Sequence, residues 1–500
     1  MRSPHLPTLA LSLTAASTIA HQTASFAQAI PESARITPVT AIEGATFGNR
    51  ISIDDDWMAI GADFDAEVLG RGFVEIHRRE GAGWTHHQTL LSPEDLVPDH
   101  FGLTVVLEGS RLLVGAPWDE QAGNRSGAVH LYELEGDEWT WKQKLVSSVP
   151  DNTGAHFGLN CCFGRSDDEI VVGAFLDSLE GAAEGAVWIY RHDGGSFVFD
   201  DRLSLPGIQL SAYFGKSIAV DGGMLAVGAP GLVGPSGFRH GGVALYADID
   251  DRWVPQGVQI PAEPEIYQAY GEALDLEAGV LAVGSPFEHR FGVDSGAVHV
   301  YRIAGGVPIL ETVVGPGEDS TAYGLPVHLS DDGQRLATGA YLTDADSGPR
   351  AGGAWIHERG SGDWSATIRL VPSEIGSFDF FGLGLSFDDS QIAIGAPRSD
   401  VAGVDVGAVS IFDLADCDGS GRLDAWELVV DDALDLDADG LLDACEGVLG
   451  DLNGDGVVDG TDIGLFSSLW GGDGSSGGDF NGDGIVDGGD LAVILSGWRY

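Results

Sequence analysis

Four stretches near the C-terminus place oxygen-bearing side chains at alternate positions. Asp416, Asp418, Ser420, Asp424 and Glu427 stand at positions 1, 3, 5, 9 and 12 of a twelve-residue window, with Gly421 at 6 and Arg422 at 7. Asp435, Asp437, Asp439, Asp443 and Glu446 repeat the spacing around Gly440 and Leu441. Asp451, Asn453, Asp455, Asp459 and Asp462 do so around Gly456 and Val457. Asp479, Asn481, Asp483, Asp487 and Asp490 do so around Gly484 and Ile485. Hard oxygen ligands at this spacing let one turn of chain wrap a calcium ion, and the residue at 7 adds its carbonyl. Glycine at 6 permits the sharp bend. An apolar residue at 8 (Leu423, Leu442, Val458, Val486) anchors each loop. From Asp416 to Tyr500 there are 20 acidic and 2 basic residues, a charge of −18. A solvated acidic linker would not space its acids in this way. The expectation is up to four Ca2+ sites, all in this region. The high ligand count favours Ca2+ over Mg2+.

These are EF-hand-type loops, and the two pairs differ. Loops three and four each precede a short amphipathic segment: Ile463, Phe466 and Trp470, then Leu491, Ile494 and Trp498. Loop plus helix, twice, resembles a type I dockerin module over about 450–500. That resemblance implies calcium ligation at the loop positions and a cohesin-like partner. Positions 10 and 11, often Ser or Thr in dockerins, are Gly460-Thr461 and Gly488-Gly489 here, and neither helix carries a base before Arg499. Calcium ligation therefore carries over residue by residue, and the cohesin contacts do not. Loops one and two, over 416–447, resemble thrombospondin type 3-like repeats. That resemblance admits a Cys417–Cys445 bridge, although connectivity is not readable from sequence.

Something must hold these loops, and the preceding chain is repetitive. Phe47-Gly48, Phe101-Gly102, Phe157-Gly158, Phe214-Gly215, Tyr270-Gly271, Tyr323-Gly324 and Phe381-Gly382 recur at intervals of 53 to 58 residues. A second motif follows each in phase, as in Val114-Gly115-Ala116-Pro117 or Ile394-Gly395-Ala396-Pro397. Then comes a Gly-Ala-Val run ending in an aromatic, such as Gly127 to Tyr132. A fourth apolar run follows, such as Trp84 to Leu91 or Trp364 to Val371. Four short runs per repeat make one four-stranded antiparallel sheet. Stacking seven such sheets radially hides both faces. Glycine-alanine pairs suit the crowded inner strands and aromatics the gaps between blades. The motifs resemble the FG-GAP repeat over about 30–415. The resemblance implies a seven-bladed β-propeller, as in the integrin α-subunit head, and an extracellular binding or adhesion platform. Calcium loops of the integrin type are not expected in the blades, because Asp119 to Ser126, Asp177 to Glu184 and Arg398 to Val406 lack the spacing. The fold class is all-β: a seven-bladed propeller followed by a small calcium-loop module with short helices.

The seventh repeat lacks a fourth strand, and Ala34 to Val39 is a spare one. It is expected to complete blade seven and clasp the ring. Residues 1–29 carry Arg2, an apolar stretch and Ala27-Gln28-Ala29, the marks of a secretory signal peptide cleaved after Ala29. The expected location is extracellular or at the cell surface, with no transmembrane segment in the mature chain.

The 500 residues carry 77 acidic and 25 basic side chains, a formal charge of −52. That charge excludes nucleic acid as a partner. With 43% apolar residues the chain still builds a core. No His-Glu-x-x-His, Gly-x-Ser-x-Gly or Cys-x-x-Cys occurs. His130 and His299 occupy matching strand positions and read as packing residues. Adjacent Cys161 and Cys162 read as strand thiols or a vicinal disulfide. The expectation is a secreted, non-catalytic protein that binds an extracellular protein or glycan through its propeller and docks through calcium loops. A dockerin-borne hydrolase acting on polysaccharide and a purely structural matrix protein are the alternatives.

Overall fold

A computed structural model describes residues 29–414, apart from short internal segments (64–71, 82, 94–98, 149–152, 165, 167, 179–182, 206–210, 236, 317–319, 346, 360–363 and 389). Beyond them it describes 416, 420, 422–424, 427, 434, 442, 452, 460–472, 478 and 485–496. Of the expected signal segment only Ala29 is described; residues 1–28, Cys417 and Cys445 lie outside the described residues.

Seven antiparallel sheets follow one another along the chain. Blade two shows the pattern, with strands Thr104–Glu108, Arg111–Ala116, Ala128–Glu135 and Glu138–Val146 running in order across the sheet. Innermost strands of neighbouring blades touch one another, so they surround an axis. The second strand is buried from end to end in blades one, three, five and seven. Each layer between blades is a separate apolar cluster, for example Leu113, Phe157, Val172 and Trp188 between blades two and three. The outermost strand slips register by one residue in six blades, at the same place in blades one to five, as between Trp141 and Gln143, and two residues later in blade six. Such a bulge adds twist where the blade is widest.

The recurrent motifs meet at the joints. Each FG glycine donates its N–H to the carbonyl of its own blade's GAP glycine, at 2.9–3.1 Å in all seven blades. Its φ lies between 86° and 96°, a region that glycine enters freely. Its carbonyl faces the GAP glycine of the preceding blade. A Cβ at Gly61, Gly115 or Gly173 would fall on the oxygen of Gly102, Gly158 or Gly215. The FG aromatic is fully buried beside it, and the Phe157 N–H donates to Ser126 of the preceding blade at 3.0 Å. The aromatic ending the third strand spans the same gap. The Tyr190 hydroxyl donates to the Val146 carbonyl at 2.7 Å, and Tyr246 to Ser204 at 3.1 Å. Aromatics thus fill the gaps between blades, as the repeat pattern implies.

Ring closure uses the N-terminal segment more extensively than its sequence implies. Ala34–Ile36 pairs antiparallel with Ala408–Asp413 and completes blade seven. This strand is shorter than the expected Ala34 to Val39. Ala29–Pro31 adds a parallel fifth strand to blade six, pairing Ile30 with Leu370, and Ile30 is buried. The Val39 N–H then reaches Glu75 of blade one at 2.9 Å. Eleven residues, 29–39, therefore lace blades six, seven and one. Cys161 and Cys162 are free thiols and alternate in burial along strand Asn160–Phe163. Burial pushes the Cys161 thiol up to about 12.

Two outcomes follow from this geometry. Deleting residues 29–36 lowers the melting temperature by about 5 °C or more, measured by circular dichroism; an unchanged melt would refute the clasp. Gly173→Ala costs more than about 4 kcal/mol in urea unfolding, because backbone atoms occupy the space. Gly195→Ala, with open space around it, stays within about 0.5 kcal/mol.

Candidate functional site

The C-terminal loops contribute nine expected ligand positions to the described residues: Asp416, Ser420, Arg422, Asp424, Glu427, Asp462, Ile485, Asp487 and Asp490. Asp418, Asp435, Asp437, Asp439, Leu441, Asp443, Glu446, Asp451, Asn453, Asp455, Val457, Asp459, Asp479, Asn481 and Asp483 lie outside them. Among the described residues, no group of three His, Cys, Asp or Glu is arranged to hold a metal. The residues at position 8, Leu423, Leu442 and Val486, are buried. The position-12 carboxylates Asp462 and Asp490 are fully buried. Asp462 accepts the Leu452 N–H at 2.8 Å, closing loop three on its own start. Asp490 accepts the Asp487 N–H at 2.8 Å.

Two helices, Gly460–Leu469 and Gly488–Ser496, follow loops three and four. Asp487 caps the second by accepting the Gly489 N–H at 2.7 Å. Phe466, Val486 and Ile494 form the small core between the helices. Val486 exchanges two backbone hydrogen bonds with Gly471 and Gly472, at 2.8 and 3.0 Å. Trp470 packs edge-on against Phe466 but is 54% exposed. In loop one, Ser420 donates to Glu427 at 3.1 Å, and the other Glu427 oxygen is buried without a hydrogen-bond partner. Leu423 is seated in the core of blades six and seven, beside Ile392 and Phe412. Loop one is therefore attached to the propeller, and Asp416 lines a cavity with Asp331, Asp332 and Glu358.

The propeller axis carries two further constellations that the motif search passes over. Side chains on the innermost strands tie neighbouring blades together. The Leu107 N–H donates to Ser52 at 2.9 Å, Ile53 to Ser386 at 3.0 Å, and Leu329 to Asp275 at 2.7 Å. Towards the end where strands one and two turn, carboxylates crowd together. Desolvation, then Asp275, Asp221, Asp331 and Glu108, push the Glu277 carboxyl up to about 8. Four neighbouring acids thus resist a further negative charge.

The opposite end is aromatic and basic. Each residue before an FG aromatic has positive φ. His100 and Trp118 meet at a tilt of 56°, with 4.0 Å between ring centres. Trp118 to His156, His156 to Phe175, and Phe175 to Tyr213 continue the row at 6.3, 5.8 and 6.1 Å. Arg125 lies over Trp118 at 4.3 Å and Lys216 over Phe175 at 4.7 Å. His100 pairs with Asp63 at 3.1 Å. These rings are half-buried. His100, His156 and Tyr213 each directly precede an FG aromatic and could have been found by aligning the repeats, whereas Trp118 and Phe175 stand three and two residues after their GAP glycines and fall out of phase.

His130 and His299 are buried and pack against the FG aromatics Phe101 and Tyr270. Burial, with Lys144 nearby, brings the His130 ring down to about 4 and keeps it neutral. The blade loops hold their acids with bases of the same blade. Lys144 meets Asp119 at 2.6 Å and Arg202 meets Asp177 at 2.8 Å.

The chain is a seven-bladed β-propeller carrying FG-GAP repeats. The model of the FG-GAP repeat matches residues 84–132 and 364–412. Each match runs from the outermost strand of one blade through three strands of the next. No curated protein matches the chain. Among solved structures, a protein from Lactobacillus plantarum is 13% identical, with a TM-score of 0.44, covering 65% of this chain and 85% of that one. A chain of a mitotic checkpoint complex is 11% identical, with a TM-score of 0.45, covering 82% of this chain and 100% of that one. Among the described residues, no helix is long and apolar enough to cross a membrane.

The crowding around Glu277 has a consequence for pH. Its folded-state pKa lies above the unfolded value near 4.5, so its charged form destabilises the fold as pH rises from about 4.5 through 8. Glu277→Gln is expected to stabilise the protein at pH 9 by about 1–2 kcal/mol, discounted for water in the channel, and by almost nothing at pH 4.5. Melting curves at the two pH values check this; equal gains at both would refute it.

Proposed function

We propose that the protein is exported and non-catalytic, binding an extracellular protein or glycan through its propeller and Ca2+ through its C-terminal loops. The observation that carries the calcium reading is the placement of Asp462 and Asp490. Both stand at position 12 of their loops, fully buried, with an oxygen turned back into the loop. Carboxylates buried at position 12 and turned into their own loops supply the hard oxygen donors that a calcium ion takes. The buried Glu427 oxygen supports the same reading for loop one. Asp451, Asn453 and Asp455 would complete the third site with Asp462, and Asp479, Asn481 and Asp483 the fourth with Asp490. Without the ion, carboxylates at this density repel, so metal uptake and ordering of the module are coupled. In the same reading, the last two loops and their helices act as a docking unit for a cohesin-like or other extracellular partner. The exposed Trp470 offers that partner an apolar contact.

Calorimetric titration of the metal-free full-length protein with Ca2+ tests this reading. The expected outcome is up to four sites, with helical circular dichroism growing as they fill. Asp462→Ala and Asp490→Ala should each remove about one site. Heat of dilution alone, with an unchanged spectrum, would overturn it.

A further inference from the structure

The protein carries −52 overall, yet one mouth of its propeller gathers bases beside aromatic rings. Arg125 is exposed there and makes no ion pair with any described residue. Arg398 sits likewise over Phe380 on the far side of the mouth, at 5.3 Å. The bases at the other end are already committed: Arg111 to Glu133, Arg335 to Glu358 and Arg79 to Asp388. Burial and the positive charge of Arg125, Lys216 and His100 all discourage a proton on His156. Lys216 is paired with Glu272 at 3.4 Å and His100 with Asp63 at 3.1 Å, so Arg125 and Arg398 are the exposed cations that this mouth offers a ligand.

The rings beside these bases run unbroken from His100 through Trp118, His156 and Phe175 to Tyr213, crossing blades two to four. A half-exposed row of rings with spare cations has a definite complement. It wants a ligand with successive flat, weakly apolar faces and regularly spaced negative charge. A pyranose ring has such a face in its axial C–H groups, and a uronic acid adds the carboxylate. An acidic peptide supplies charge without the faces. A polynucleotide supplies both, but carries a phosphate at every unit and meets the repulsion of the whole protein.

We infer that this mouth binds an acidic polysaccharide, with Trp118, Phe175 and Tyr213 stacking on sugar rings and Arg125 receiving a carboxylate. Arginine suits this because its planar fork accepts a carboxylate in two parallel hydrogen bonds. The inference deepens the reading of the propeller as a binding platform and rests on it. Calcium uptake by the tail is independent of it, so the titration above and the experiment below fail separately.

The test uses the full-length, calcium-loaded protein and follows tryptophan fluorescence and calorimetric heat. Hyaluronate, chondroitin sulfate and oligogalacturonate are the probes; dextran, polyglutamate and oligo-dT are the comparisons. At least one acidic polysaccharide should bind and perturb the fluorescence, more tightly than all three comparisons. Trp118→Ala and Arg125→Glu should each weaken binding by about tenfold or more. Arg125 is exposed, so its variant should melt with the parent and separates loss of binding from loss of fold. Absence of binding to all three probes overturns the inference. So does equal binding of polyglutamate or oligo-dT, or undiminished binding by the Arg125 variant.

Discussion

The whole propeller rests on a contact between two glycines. At every joint the carbonyl of an FG glycine occupies the place where a side chain on the preceding GAP glycine would stand. The approach brings blade backbones together near the axis, where a ring of seven sheets has least room. It also fixes where the FG aromatic goes, because that ring is the next residue along and must fill the space just outside the contact. Apolar burial between blades is large, but it is non-directional. The glycine contact sets the spacing and angle at which that burial occurs.

A closed ring has one joint that differs from the others. Here the seam lies at blades six and seven, and both chain ends are brought to it. Ile30 from the N-terminal segment and Leu423 from loop one enter the same apolar cluster, with Phe381, Ile392 and Phe412. The N-terminal segment also binds through charge: Arg35 holds Glu32 at 2.8 Å, and Glu32 accepts the Ser373 N–H at 2.7 Å. A strand borrowed from the opposite terminus makes closure cooperative, since blade seven cannot complete itself locally. Leu423, which follows the last blade in sequence, is thus packed directly against the seam.

The architecture was legible because its cause is local and repeated seven times. A glycine that cannot be replaced, and the aromatic before it, leave a period that no other constraint erases. The spare strand at Ala34 was legible by subtraction, as the seventh repeat runs short. Its partner at Ala29–Pro31 was not, because three residues added in parallel to a finished blade complete no pattern. In the tail the spacing of oxygen-bearing residues was legible for a similar reason, a fixed period in the sequence, and most of those positions lie outside the described residues. The axial lacing by Ser52, Asp275 and Ser386 was hidden. The position repeats, but the residue type does not, since hydroxyl and carboxylate accept the neighbouring N–H equally well. The mouth was hidden differently. Its rings stand outside the motifs, with Trp118 and Phe175 at different offsets from their GAP glycines, and only three-dimensional closure turns separate loop residues into one surface.

Strand direction explains why the two ends of the axis differ. Every inner strand starts at the FG turn and ends at a hairpin. Residues before the aromatic and after the GAP glycine thus reach one mouth, and residues ending strand one reach the other. At the hairpin end an acid such as Asp221 caps the next blade's backbone, accepting the Gly279 N–H at 3.1 Å. That structural use of carboxylates accumulates negative charge around the axis, and Glu277 shows the cost in its raised pKa. The FG end needs no such caps, because glycine N–H groups are already satisfied within the blade. Hydroxyls serve there instead, Ser217 donating to the Gly271 carbonyl at 2.8 Å and Thr104 to the Leu159 carbonyl at 2.7 Å of the next blade. The lacing that closes the propeller thus gathers carboxylates at one end and neutral hydroxyls at the other.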